Sequence, residues 1–269
     1  MPLLFQTKSV LLFLLQLDDY DSFDVAVEEI ETLPLINLAD YSVDKIFEKA
    51  LETRNEISVA EANIDIAEKD FEGLVVGNQG ANFSVGANIG MIFMMAVEQE
   101  YEELNMAIKY FQDSVMRLRY SSIPTVVAPH GMTLGGGCEM TLHADRVVAA
   151  AESYIGLVEF GVGVIPGGGG SKEMALRASD LFHKNDVELN VLQEYFLTIG
   201  MAKVSTSAYE AHDLGILEKG KDIIIVNKDR QIATAKSVAK SMANLGYTQP
   251  VLRKDVKVLG KQALGMFLV

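Results

Sequence analysis

The chain has a single cysteine, Cys138, among its 269 residues. An intrachain disulfide framework is therefore excluded, and a reducing compartment such as the cytoplasm is expected. Basic residues are also scarce: 23 Lys and Arg stand against 37 Asp and Glu, a net charge of −14. With no cationic surplus to neutralise phosphates, a general nucleic-acid binder is excluded. An anionic small ligand is not, because a helix N-terminus or a local cationic cluster is enough to hold one. No run approaches the ~18 consecutive apolar residues of a membrane span. The apolar run at 10–15 has only Lys8 before it, Asp18 and Asp19 after it, and no clear small-residue cleavage site. It reads as a strand or buried helix rather than a leader. Internal repeats and low-complexity segments are missing too.

What is present is a folding chain. Its apolar fraction of 49% suits one large domain, or one domain with an appendage. Residues 1–50 form an atypical N-terminal segment mixing apolar and acidic stretches. From about residue 56 the pattern sharpens: Ile57, Ala60, Ile64, Ile66 and Ala67 mark one face of a helix reaching about Lys69. Short apolar runs at 73–77, 125–128, 146–150, 154–157 and 221–226 read as strands. Between and after them the periodicity predicts helices over 91–119, 135–144, 171–178, 188–198, 205–213 and 229–245, with Ser171 as an N-cap. The methionines at 91, 94 and 95 read as core, with the lining of an adaptable apolar pocket as the alternative. The alternation gives an α/β class: a main part over 51–200, a helical region over 201–250, and an apolar element over 251–269 that starts without a polar close. That ending suggests a piece of a longer polypeptide.

Two glutamates, Glu139 and Glu159, each lie beside a glycine-rich turn, twenty residues apart. The first follows Gly135-Gly136-Gly137; the second precedes Pro166-Gly167-Gly168-Gly169-Gly170. Paired carboxyls can move a proton on and off one water molecule. A glycine turn opening a helix can point bare backbone N–H groups at developing negative charge. An acidic residue in a first helical turn also has an ordinary explanation, the helix dipole. Three and four consecutive glycines, however, exceed what a turn by itself requires, so close approach of a ligand is expected.

Other motifs fail. No Lys-Ser/Thr pair follows the 167–170 glycines, so there is no P-loop. Gly161-Val162-Gly163 leads to Pro166 where a dinucleotide fingerprint needs its third glycine. Asn82-Phe83-Ser84-Val85-Gly86 lacks one glycine of a nucleophile elbow and has no local histidine. His143, four residues after Glu139, has no third ligand in view, so it reads as a packed or capping residue and no metal site is expected. Cys138 reads as a small buried residue.

Together, the segments 82–89, 123–128, 131–145, 159–170 and 208–216 resemble the enoyl-CoA hydratase/isomerase (crotonase) superfamily. The likeness is greatest to the hydratase part of fused proteins that also carry a 3-hydroxyacyl-CoA dehydrogenase. The resemblance implies a crotonase-like spiral of ββα units with a C-terminal helical region, and a homo-oligomer, trimer or hexamer. It implies an acyl-CoA thioester as substrate, with coenzyme A a part of that substrate and no separate cofactor. Ala87 and Gly136 fall on the two backbone donors of the oxyanion hole, and Glu139 and Glu159 on the two catalytic carboxyls. Gly86, Ala87, Asn88, Ile89, Gly135, Gly136, Pro166 and Gly167 fall on substrate-binding positions. Asn88 departs from the aspartate common in the family, and residues 5–8 alone answer to its first strand. The implied reaction is hydration of a trans-2-enoyl-CoA; the alternatives are an isomerase or other CoA-thioester enzyme of the superfamily, or a non-catalytic module of a fused protein.

Overall fold

Short apolar runs closed off by glycine, proline or a capping carboxylate make the strands. In the computed structural model, residues 72–183 and 187–267 are described. The expected strand at 5–8, the apolar run at 10–15 and the helix over 56–69 lie outside them. Strand β1 (Leu74–Gly77), β2 (Thr125–Ala128), β4 (Arg146–Ala150) and β6 (Ile223–Ile225) form one parallel sheet in the order β1-β2-β4-β6. Strand β3 (Gly131–Leu134) pairs in parallel with β5 (Ser153–Gly156) in a second, two-stranded sheet. The chain alternates between the sheets, β2 then β3, β4 then β5, and each pair is followed by helix: α3 (Gly136–His143) after the first and α4 (Gly170–Asp180) after the second. This is a ββα repeat in a mixed α/β fold, as expected.

The central strands are covered on both faces, which is why they read as unbroken apolar runs instead of alternating ones. Val127, Val147 and Ala149 face a core containing Leu118, Leu142, Leu157 and Met174. Val126, Ala128 and Val148 face the other way, onto Ala235 and Ala239 of a late helix, α7 (Gln231–Asn244). The alanines, four residues apart, share one helical face and let it approach the sheet closely.

Three expectations are corrected. The helix expected over 91–119 is two, α1 (Ile89–Val97) and α2 (Tyr101–Arg119). The break comes where Gln99 takes φ 61, a left-handed conformation that closes a helix. Of the methionines assigned to the core, Met95 is buried and Met94 exposed; an apolar sequence alone does not decide which face is covered. Strand β3 went unread because Gly131 and Gly135 made the stretch look like one glycine turn. Exposed Met132 alternates with buried Thr133, and their partners are Tyr154 and Ile155 of β5. The remaining helices, α5 (Glu188–Gly200), α6 (Ala208–Asp213) and α8 (Lys261–Phe267), follow the C-terminal half. Among the described residues, no helix is long and apolar enough to cross a membrane.

Candidate active site

Three chain segments meet at one end of the small sheet. Ser84 makes an isolated parallel bridge to Thr133, so the chain at Ser84 passes alongside β3. The Ser84 N–H donates to Met132 O (3.1 Å) and the Leu134 N–H to Ser84 O (2.8 Å). At the end of β3 the Gly135 N–H donates to Gly156 O at 3.0 Å, tying the start of α3 to the end of β5. Gly135 has φ 54 and ψ −122, a conformation that a side chain would strain. A Cβ placed on it would be 3.5 Å from Glu159 Oε1 and 3.7 Å from Gly86 Cα. Gly86, Gly135 and Glu159 are thus brought together.

Helix α3 starts here. Its first N–H groups have no intrahelical partner, and its dipole adds partial positive charge. The N–H groups of Ala87 and Gly136 have no hydrogen-bond partner among the described residues. Ala87 is exposed. Asn88 follows and its side chain accepts from the Met91 N–H at 3.1 Å, so it caps α1. An asparagine performs that task as an aspartate would. Ile89 opens the helix and is exposed.

Glu139 is buried in the first turn of α3, yet its carboxylate leaves its own helix and caps another: Oε1 accepts from the Gly170 N–H at 2.8 Å. The N-cap position of α4 is therefore Gly169, not Ser171, and no side chain of that residue takes part. The capping acceptor comes from thirty-one residues away in sequence. Burial pushes the Glu139 carboxyl above its ordinary range, and the N–H groups of Gly170 and Gly168 oppose the rise. Glu159, at the start of a 3-10 turn (Glu159–Val162), has less support. Its Oε2 is buried with no hydrogen-bond partner among the described residues. Burial chiefly, and the charge of Glu139 in addition, raise it to about 7. The environments separate two like residues: Glu139 is held by N–H donors that favour its ionised form, and Glu159 keeps its proton to near neutral pH.

The glycines have a structural explanation that the sequence reading denied them. A Cβ on Gly136 would lie 3.1 Å from Phe111 Cζ, and one on Gly137 would lie 2.7 Å from Ser84 Cβ. On Gly168 it would collide with the Phe111 ring and Glu139 Oε2, and on Gly169 it would reach His143 at 2.9 Å. Packing calls for glycine at 137, 168 and 169, whereas at 136 the ring tip would have to give by only a few tenths of an ångström. Gly168→Ala is accordingly expected to displace the carboxylate and ring together. It should destabilise the fold by about 1–3 kcal/mol, the usual range for overpacking, as urea unfolding would read. An unchanged midpoint would mean that the turn moves freely.

Pro166 is buried against Gly170, and the Gly167 carbonyl accepts from Gln112 Nε2 at 2.5 Å. His143 is fully buried; its Nδ1–H donates to Glu139 O at 2.6 Å. Burial lowers it to about 4, so it is neutral near pH 7 and packs as expected. Behind it, Glu173 is buried with Lys172 Nζ at 2.9 Å and Arg119 at 3.6 Å. Burial would raise Glu173, but Arg119, His143 and Lys172 outweigh it and hold the carboxyl low. The Cys138 thiol is buried and pushed well up by burial, with Glu159 and Glu139 adding to the rise. It is a packed residue. Among the described residues no group of three His, Cys, Asp or Glu side chains is arranged to hold a metal. Sequence reasoning missed Phe111 and Gln112 altogether, since nothing local marks two residues in the middle of a helix.

Comparison with known proteins gives a consistent family. Residues 50–179 match the family described as enoyl-CoA hydratase/isomerase. A Bacillus subtilis protein named probable 3-hydroxyacyl-CoA dehydrogenase is 44% identical over 213 residues, 79% of this chain and 26% of that protein. A Rickettsia felis protein carried under the name of a fatty acid oxidation complex trifunctional enzyme is 39% identical over 112 residues, 42% of this chain and 16% of that one. The chain thus spans about a quarter or less of the length of these relatives. Among solved structures, an enoyl-CoA hydratase from Polaromonas sp. JS666 superposes with a TM-score of 0.56 at 20% identity, over 70% of this chain and 66% of that one. That likeness is one of fold.

Proposed function

We propose that this chain, which belongs to the enoyl-CoA hydratase/isomerase (crotonase) superfamily, adds water across the 2,3 double bond of a trans-2-enoyl-CoA. The observation that carries the reading is the pairing of Glu139 and Glu159 beside the open N-terminus of α3, Glu139 held by the Gly170 N–H and Glu159 Oε2 buried without a partner among the described residues. The thioester carbonyl would accept from the N–H groups of Ala87 and Gly136. Enolate charge developing on that oxygen is then stabilised, an effect of about 10²–10³ in rate per donor elsewhere. Ionised Glu139 takes a proton from water as its oxygen bonds to C3. Protonated Glu159 gives its proton to C2. The product is a 3-hydroxyacyl-CoA, and the proton left on Glu139 returns to Glu159 through solvent, which restores both groups. Gly86, Gly135 and Gly167 shape the space around the thioester, while Asn88, Ile89 and Pro166 hold the loops that carry it.

No cofactor beyond the CoA of the substrate enters this scheme. The product belongs to the substrate class of the dehydrogenase for which one relative is named. The chain is therefore read as the hydratase part of a larger β-oxidation polypeptide, with a fused dehydrogenase domain and homo-oligomerisation as a trimer or hexamer as parts of the proposal.

A hydration assay on enoyl-CoAs of increasing length, with product identification, tests it. Water addition to 2-enoyl-CoA is expected. Conversion of a 3-enoyl-CoA to the 2-enoyl isomer without hydration would replace the reading with an isomerase. Acyl-CoA binding without either reaction would replace it with a non-catalytic module.

A further inference from the structure

One side chain at this site has no part in the chemistry above. The Phe111 ring spans the gap between the two glycine turns. Its Cζ is 3.1 Å from the position a Cβ on Gly136 would take, and its Cε1 edge fills the position a Cβ on Gly168 would take. Cα–Cβ bonds in a helix tilt toward the N-terminus. A Cβ on Gly136 would lean from the side of the first turn toward the end of α3 where its unpaired N–H groups point, so the ring stands beside that end. The blocked Cβ position on Gly168 is shared between the ring and Glu139 Oε2, so ring edge and carboxylate face each other across one missing methyl group.

The ring is fixed in place by its own helix. Residues 108, 111 and 112 lie on one face of α2. Ile108 Cγ2 is 3.9 Å from the Cβ position of Gly167, and Gln112 Nε2 donates to the Gly167 carbonyl at 2.5 Å. This three-residue clasp holds the 167–168 turn from outside. The Phe111 ring is only half-buried, so part of it remains free of protein. Resting on the hydratase reading, the placement has a direct consequence. C3 of the substrate must meet water beside Glu139, and the acyl carbons beyond C3 must leave past whatever stands next to that carboxylate. Glycines offer no side-chain wall there; Phe111 does.

We infer that Phe111 is the specificity-determining residue of this site, its ring limiting the length and width of the acyl chain accepted next to Glu139. Calorimetric dissociation constants for saturated butanoyl-, octanoyl- and dodecanoyl-CoA test this without needing turnover. The ligands would be titrated into the wild-type chain and into Phe111→Ala, Phe111→Leu and Phe111→Trp. Phe111→Ala is expected to shift the dodecanoyl-to-butanoyl affinity ratio at least about tenfold toward the long chain, the scale of a pocket gaining room for a methylene or more. Phe111→Leu, which keeps an apolar filler under the glycine turns, should shift it part of the way, and Phe111→Trp the opposite way. A ratio unchanged across the folded variants, with acyl-CoA still bound, overturns the role of Phe111 alone. Failure of the wild-type chain to bind any acyl-CoA overturns the hydratase reading, and the specificity role with it.

Discussion

Glu159→Gln is expected to cost hydration turnover about 10²–10⁴-fold while making the folded protein more stable at about pH 8 by about 1–3 kcal/mol. The two effects have one cause. Glu159 is half-buried, its Oε2 has no hydrogen-bond partner among the described residues, and Glu139 adds repulsion. Its carboxyl is raised from 4.5 to about 7. Between these values the native chain keeps a proton that the unfolded chain gives up. Stability contributed by this group therefore falls as pH rises from 4.5, and the penalty is complete above about 7. Glutamine is uncharged throughout, so the gain from the substitution should appear above about pH 7 and vanish as pH falls to 4.5. The same proton is the one proposed for C2, so wild-type kcat/KM should decline as pH rises through about 7. Urea unfolding at several pH values, beside an enoyl-CoA assay, reads both. A variant that is no more stable above neutral pH would show that the carboxyl is not desolvated. Full turnover in that variant would remove Glu159 from the chemistry.

Glu139→Gln should lose turnover on the same scale, about 10²–10⁴-fold, but without that gain in stability. Burial raises this carboxyl as well, yet Gly170 and Gly168 donate to it and offset part of the rise. The acid also stands at the N-terminus of α4, where negative charge is favourable. A glutamine keeps one acceptor oxygen and turns an NH2 group toward a region of N–H donors. One donor is then left unpaired, at about 1–3 kcal/mol if fully buried. The two losses and gains are expected to cancel or to end in net destabilisation. A stability gain equal to that of Glu159→Gln would mean that the glycine N–H groups do not hold the Glu139 carboxylate. The contrast between the variants separates base from acid, because loss of activity alone would look the same for both.

Much of the fold was legible because it depends on local composition. The runs at β1, β2, β4 and β6 are short, β-branched and punctuated, and no packing arrangement is needed to read them. β3 was not legible because its glycines mark a strand end and a helix start at once. Likewise, the 91–119 stretch could not reveal its break, since Gln99 is an ordinary residue placed in a left-handed conformation by its surroundings. Ser171 looked like a cap by residue type, but the acceptor that Gly170 needed came from Glu139.

By itself the sequence determined the α/β class, the absence of disulfides, the acidic balance and the presence of two carboxyls beside glycine turns. These follow from residue type and near-neighbour spacing, which act over a few residues. Only the tertiary structure decided that Glu139 caps α4, that Glu159 is left without a partner, and that Phe111 stands over Gly136 and Gly168. Those outcomes depend on which groups exclude water from one another, and the groups concerned lie tens of residues apart in the chain.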